Sequence, residues 1–282
     1  MRIRVDYRTV YDYAAPASDV LQLLRVQPGR HDGQHVVHWR LDTDTDGHLR
    51  RSEDAFGNVT HMFYPDGAVR RLALHVTGEV DTEDRAGLVT GAHEPLPVGV
   101  YLRSTPLSAP DAAIAALARS CDAGDALASC HALMAALYGQ MRFDADVTHS
   151  FSDAAHAWAL RAGVCQDYAH IFVGAARHLG IPARYVSGHL VRGDGLITQP
   201  AAHAWAEAHV PALGWVAFDP TNGMCATDAY LRVAVGLDYL DAAPIRGARR
   251  GGGEERMHVT VTTSNSADPV QSGQMQAGQA QA

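Results

Sequence analysis

Three residues far apart in the chain can supply a nucleophile, a base and the group that orients it. Gly163-Val164-Cys165-Gln166-Asp167-Tyr168-Ala169 puts a cysteine at the start of a helix predicted over 165–179. Free N–H groups and the positive end of the helix dipole lower a thiol pKa there, and the thiolate is the nucleophilic form. Asp167 opposes this, because a nearby carboxylate disfavours a second negative charge, so a basic partner is needed. His203 opens the run His203-Ala204-Trp205-Ala206-Glu207-Ala208-His209-Val210, whose even positions are small or apolar and whose odd positions are polar or aromatic. That period of two predicts a strand with one packed face. After a turn from Pro211 to Gly214, Trp215-Val216-Ala217-Phe218-Asp219 reads as its hairpin partner. A three-residue connection pairing His209 with Leu213 sets His203 directly opposite Asp219, with Cβ atoms about 4.5–5.5 Å apart. A slip by an even number of residues keeps both on one face. A carboxylate beside an imidazole fixes its tautomer and stabilises the imidazolium, while the other ring nitrogen takes a proton from the nucleophile. Cys165, His203 and Asp219 supply those three roles, although periodicity alone does not bring the helix start to the hairpin.

The elements that must position them follow from pattern. In the predicted helix Ala169, Phe172, Ala176 and Leu179 form a stripe, Gly180 can end it, and Pro182 lies beyond. Strands are predicted over 183–191, 203–210 and 215–219. Upstream, residues 111–140 are Ala-rich, and Ile114, Leu117, Leu127, Leu133, Met134 and Leu137 fit helical faces. From Met1 to about Asp84 short β-type runs alternate with turns at Asp46-Gly47 and Asp66-Gly67, which predicts a small all-β domain. Pro95, Pro97, Pro106 and Pro110 mark a linker, with the boundary near residue 105. Arg249-Arg250-Gly251-Gly252-Gly253-Glu254 reads as a flexible connector before a last strand over 257–262. A Gln-, Ala-, Gly- and Ser-rich tail over 264–282 is expected to be disordered.

A chain of 282 residues, 47% hydrophobic and 19% charged, has enough to bury a core and suits about two domains. Its formal charge of −8 and the lack of a run of five or six like charges argue against a nucleic-acid partner. Every stretch long enough to span a bilayer is broken by charge, and Met1-Arg2-Ile3-Arg4-Val5-Asp6 lacks the apolar core of a secretory signal, so a cytoplasmic location off the membrane is expected. Cys121, Cys130, Cys165 and Cys225 follow neither metal nor disulfide spacing. Asp42-Thr43-Asp44-Thr45-Asp46-Gly47-His48-Leu49-Arg50-Arg51-Ser52-Glu53 matches the EF-hand loop pattern, but its flanks are β-type, so a polar β-turn explains it better. His170 and His178 are expected on the solvated face of their helix, and Glu207 and His209 either tune the site or face solvent. Trp205 either walls the cleft or joins the core.

Four blocks resemble the bacterial transglutaminase-like superfamily: Gly163-Val164-Cys165-Gln166-Asp167-Tyr168-Ala169-His170, Gly180-Ile181-Pro182-Ala183-Arg184-Tyr185-Val186-Ser187-Gly188, His203-Ala204-Trp205, and Gly214-Trp215-Val216-Ala217-Phe218-Asp219-Pro220-Thr221-Asn222. Asp54-Ala55-Phe56-Gly57-Asn58 is similar to part of the N-terminal domain that accompanies this core. The resemblance implies an α+β fold: a papain-like transglutaminase core over 106–263, preceded by the all-β domain over 1–105 and followed by the tail. It implies Cys165 as nucleophile, His203 as general base and acid, and Asp219 as the residue that orients it. The chemistry implied is acyl transfer from a peptide or glutamine carboxamide of a peptide or protein substrate through a thioester, with no metal or cofactor. Hydrolysis, as a peptidase or amidase, is the first expectation. Glutamyl transfer to an amine and a non-catalytic scaffold are the alternatives. The backbone N–H of Cys165 is a natural oxyanion donor. The second is unassigned, since Ala159 stands where papain-type sites carry Gln, and Trp158 either substitutes or belongs to the core.

Overall fold

The computed structural model describes residues 1–199 and 201–265, so the predicted tail lies, beyond Asn265, outside the described residues. The chain opens with β1 (Arg2–Leu24), β2 (Gln34–Thr43), β3 (Gly47–Glu53), β4 (Val59–Pro65) and β5 (Val69–Thr82). Alternation along β1 turns Ile3, Val5, Tyr7, Thr9, Tyr11 and Tyr13 inward, as a half-buried strand requires. The EF-hand-like segment is the end of β2, a turn, and β3. After β6 (Leu88–Val89), the proline-rich stretch carries a short 3-10 helix (Val98–Leu102) that buries Tyr101 completely.

Next come α1 (Ala112–Ser120), α2 (Ala126–Gln140), β7 (Arg142–Phe143), α3 (Ala154–Leu160), β8 (Ala162–Gly163) and α4 (Cys165–His178). The carboxylates of Asp111, Asp125 and Asp153 cap α1, α2 and α3 by accepting N–H groups of their first turns. The remainder is β9 (Ala183–Leu190), β10 (Thr198–Gln199), β11 (His203–Val210), β12 (Gly214–Asp219), β13 (Met224–Cys225), β14 (Tyr230–Gly236), α5 (Tyr239–Ala242), β15 (Ile245–Gly251) and β16 (Glu255–Asn265). This is an α+β chain.

The core sheet runs β13-β12-β11-β9-β14, with β6 beside β12. Helix α4 packs on one face of it, and the small side chains of Ala206 and Ala208 share a cluster with Phe172 and Ala176. α4 is buried nearly all round, because α1, α2 and α3 cover its other sides. His170, expected on a solvated face, is therefore fully buried, and its Nε2 accepts the Tyr239 N–H at 3.0 Å. His178, near the end of α4, is exposed.

The opposite face of the core sheet is buried too, so β11 is covered on both sides rather than one. Glu207, expected to tune the site or meet water, is fully buried between Arg184 at 2.7 Å and Arg232 at 2.8 Å. Arg184 also binds Glu94 at 2.6 Å and stacks over Trp215, 3.8 Å from the ring centre. The cluster draws Arg184 from β9, Arg232 from β14 and Glu94 from the linker, which local periodicity in β11 cannot reveal.

Two side-chain amides of the N-terminal sheet bind β14. Asn58 donates to the Val235 carbonyl at 2.7 Å and accepts the Val235 N–H at 2.8 Å. Gln34 does the same at Arg232, at 2.9 and 2.8 Å. Leu231 and Val233 of β14 enter the same core as Ile3, Val5 and Tyr7.

The last two strands return to β1. β16 pairs with it from Ile3↔Asn265 to Tyr13↔Glu255, and β15 pairs farther along, from Ala17↔Gly251 to Leu24↔Ile245. The expected connector is thus the end of β15 and a turn in which Gly251, Gly252 and Gly253 take positive φ. Its two arginines gave no local strand signal because the pairing partner is more than 200 residues away.

Burial holds the His170 pKa near 3 and that of His189 near 4, so both are neutral in the fold. In the unfolded chain they titrate near the ordinary value of about 6.5, so below that pH the unfolded state binds protons that the folded state refuses. Their contribution is complete above about 6.5 and is lost as pH falls toward the folded values. His31, lowered to about 4 mainly by burial, adds a third such group, so urea unfolding is expected to show stability dropping between pH 6 and 5 with a slope approaching about 4 kcal/mol per pH unit, three protons' worth. A flat profile there would contradict the neutral burial of these rings.

Candidate active site

Cys165 is the first residue of α4 and is partly exposed. Its approach is held by β8, which pairs in parallel with β7, and by the Asp144 N–H, which donates to the Gly163 carbonyl at 2.9 Å. Val164 has no side-chain cap to offer, so Asp167 reaches back and accepts the Val164 N–H at 2.8 Å and the Thr148 hydroxyl at 2.7 Å. A Cβ on Gly163 would come within 2.4 Å of that carboxylate, so only glycine fits there. Burial raises the Asp167 pKa, against the opposing effect of the donors from Thr148 and Val164.

His203 starts β11 and Asp219 ends β12, but in a register two residues from the expected one, with His209 paired to Trp215 rather than Leu213. The Leu213 N–H closes the turn on the Val210 carbonyl at 3.1 Å, with Ala212 at φ 67°, so β11 runs one residue further before the chain reverses. The even slip makes His203 and Asp219 diagonal rather than direct neighbours on one face. They still meet: His203 Nε2 lies 2.6 Å from Asp219 Oδ2. Cys165 lies close enough to the same ring for its sulfur to help raise the ring's pKa. The structure therefore brings the three sequence-predicted residues together.

Asp219 is fully buried, and three further residues bind it. Oδ2 also accepts the Tyr230 hydroxyl at 2.8 Å and the Asn222 amide at 2.6 Å, while Oδ1 accepts the Thr221 and Asn222 N–H groups at 2.9 and 3.2 Å. Asn222 was within reach of sequence reasoning, because an Asp two and three residues before free N–H groups favours such a turn. Tyr230 was not, since it arrives from β14. Burial alone would raise the Asp219 pKa, but His203, Tyr230 and Asn222 outweigh it and hold the carboxyl below its ordinary range. Burial would likewise lower the His203 pKa, yet the charge and hydrogen bond of Asp219, with the Cys165 sulfur, hold it up at about 10.

The His203 ring stacks on Trp205, with centroids 6.1 Å apart, and leans on Tyr230 at 6.0 Å. Trp205 is itself buried in a cluster with Val186 and Ala217. Trp158 lies in the core with Phe172 and Leu133, with the Arg161 guanidinium over its ring, so it takes the core place of the two considered. His209 packs edge-on against Trp215, at the far end of β11 from His203. Cys121 and Cys130 are buried, and Cys225 is partly so, opposite Phe218 on β13.

Residues 115–220 match the family model of the transglutaminase-like superfamily, and residues 3–81 match the bacterial transglutaminase-like N-terminal region. An uncharacterized protein of Mycobacterium leprae is 30% identical over 276 residues, covering 92% of this chain and 97% of its own length. A protein-glutamine gamma-glutamyltransferase of Pseudomonas aeruginosa is 34% identical over 106 residues, which cover 33% of this chain but only 15% of that enzyme. Among solved structures, a candidate cysteine protease from Cytophaga hutchinsonii superposes with a TM-score of 0.70 over 94% of this chain and 91% of its own. Its 20% identity makes that a likeness of fold. No helix among the described residues is long and apolar enough to cross a membrane.

The imidazolium beside Cys165 depends on the Asp219 charge. Asp219→Asn keeps the side chain's shape and removes that charge, so alkylation of Cys165 by iodoacetamide at pH 7 is expected to slow about tenfold or more. An unchanged rate would separate the reactivity of the thiol from the charge on the ring.

Proposed function

The chain belongs to the transglutaminase-like superfamily, and on that premise we propose that it is a cysteine-dependent acyl-transfer enzyme acting on peptide or glutamine carboxamides, with water as the usual acceptor. The observation that carries this reading is the 2.6 Å contact between His203 Nε2 and Asp219, which commits one ring nitrogen to the carboxylate and leaves the other for Cys165. A ring so held receives the thiol proton and keeps it as imidazolium, ready for a leaving amine.

The steps follow from those positions. The sulfur lone pair forms a bond to the carboxamide carbon, and the carbonyl π pair moves onto oxygen. As C=O re-forms, the C–N bond breaks, and the departing nitrogen takes the proton from His203. A thioester on Cys165 remains. Water then adds to the same carbon while His203 takes one of its protons, and collapse returns that proton to sulfur with release of a carboxylic acid. Cys165 is partly exposed, which gives water ready access to the thioester and supports hydrolysis. The local identity to a glutamyltransferase supports the second reading, in which an amine takes the place of water.

Mass analysis of a glutamine-containing peptide library incubated with the protein, with and without hydroxylamine, tests both. Cleaved or deamidated products without added amine are expected, falling about 10⁴-fold or more in Cys165→Ala. Products that form only when hydroxylamine is present would favour the transferase. Turnover equal to that of Cys165→Ala would overturn acyl transfer altogether.

A further inference from the structure

The tetrahedral intermediate of that reaction carries a full negative charge on oxygen, and one donor for it is in place. The N–H at the first position of a helix has no acceptor inside the helix, so that of Cys165 is available. A single donor leaves the oxyanion half-satisfied, and each missing donor is costly.

Tyr185 occupies β9 under the first turns of α4. Its ring packs against His170, with centroids 5.0 Å apart, and edge-on against Tyr239 at 6.2 Å. Cys165 packs against the same small cluster of Ala169, Tyr185 and Ala204. The ring is thus fixed on its flanks, and the residue is only 2% exposed. Its hydroxyl makes no hydrogen bond among the described residues. The hydroxyls of Tyr13 and Tyr101 are sealed from solvent without a partner, and that of Tyr185 is not. This rigid, buried phenol keeps an unused donor in the cluster that Cys165 packs against, within the same part of the site as the acyl group would occupy. Burial, and then charge on the Cys165 sulfur, hold its ionisation well above the ordinary range, so the group stays a neutral donor.

We propose that the Tyr185 hydroxyl is the second oxyanion donor, hydrogen-bonding the carbonyl oxygen of the acyl group together with the Cys165 N–H. The proposal rests on the acyl-transfer reading above and names the group that stabilises its intermediate. Tyr185 transfers no proton: the oxygen gains the π electron pair as the S–C bond forms, accepts two hydrogen bonds, and returns the pair when C=O re-forms and the C–N bond breaks. Neither Gly163-Val164-Cys165 nor His203-Ala204-Trp205 carries this donor, which explains why those segments left it unassigned.

Two reagents separate a donor to the oxyanion from a residue that merely supports the thiol. p-Nitrophenyl acetate acetylates Cys165 through a tetrahedral oxyanion, whereas iodoacetamide alkylates it by direct displacement and forms none. In Tyr185→Phe acetylation is expected to fall about 10²- to 10³-fold while alkylation changes less than about threefold. The retained alkylation rate also reports an intact fold. Replacement of Tyr185 by 3-fluorotyrosine, a stronger donor of nearly the same size, is expected to keep acetylation at or above the wild-type rate. Acetylation unaltered in Tyr185→Phe, or both reactions falling together in it, would overturn the assignment, as would a loss of acetylation with 3-fluorotyrosine. A wild-type protein alkylated but never acetylated at Cys165 would instead overturn the acyl-transfer reading itself, a result that no Tyr185 variant can imitate.

Discussion

A carboxylate withdrawn completely from water must be paid for by its partners, and Asp219 has five: the His203 ring, the Tyr230 hydroxyl, the Asn222 side chain and two backbone N–H groups. These donors belong to three separate pieces of chain, namely the start of β11, the turn after β12, and β14. The acid therefore does more than orient a ring. Its charge can persist in the interior only when all three pieces are in place, since a buried ion left without its partners destabilises by about 3–5 kcal/mol. The geometry at Cys165 is to that extent a by-product of satisfying one buried charge.

The N-terminal sheet enters this scheme through β14. Asn58 and Gln34 each bind both polar groups of a β14 residue, Val235 and Arg232, next to an irregularity in the β14–β9 register between Arg232 and Ala234. β14 ends the core sheet, so backbone groups on its outer edge would otherwise go unmatched in the interior. Tyr230 sits at the start of the same strand, so the sheet that supplies Asn58 and Gln34 also helps to place the phenol that touches Asp219. The second buried set, Arg184 with Glu94, Glu207 and Arg232, fastens the linker to the core sheet by the same logic of mutual compensation.

What was legible in the chain was local. Period-two runs gave β11 and β12, helix periodicity gave α4, and both placed Cys165, His203 and Asp219 on elements able to hold them. The hairpin register was right in parity and wrong by two, because the turn closes through the Leu213 N–H and a left-handed Ala212, a detail that loop length alone does not specify. Reading a solvated side for Glu207 or His170 failed for a different reason. Burial of those groups is decided by elements tens of residues away, as the contacts of Glu207 with Arg184 and Arg232 illustrate. Tyr230 and Tyr185 escaped notice on the same grounds, since a lone tyrosine in an apolar strand carries no mark of what it will face.

β1 is flanked for most of its length by strands from opposite parts of the chain, β5 on one side and β16 on the other, with β15 continuing beyond. During synthesis the first eighty or so residues can pair β1 with β5, but one edge of that long strand stays open until residues 245–265 have left the ribosome. The exposed edge is a template for any other extended segment, including another nascent copy. Quality control of this protein in the cell is therefore expected to concentrate on the interval between those two events, when the acid, the ring and the thiol have already been made and the sheet behind them is still unfinished.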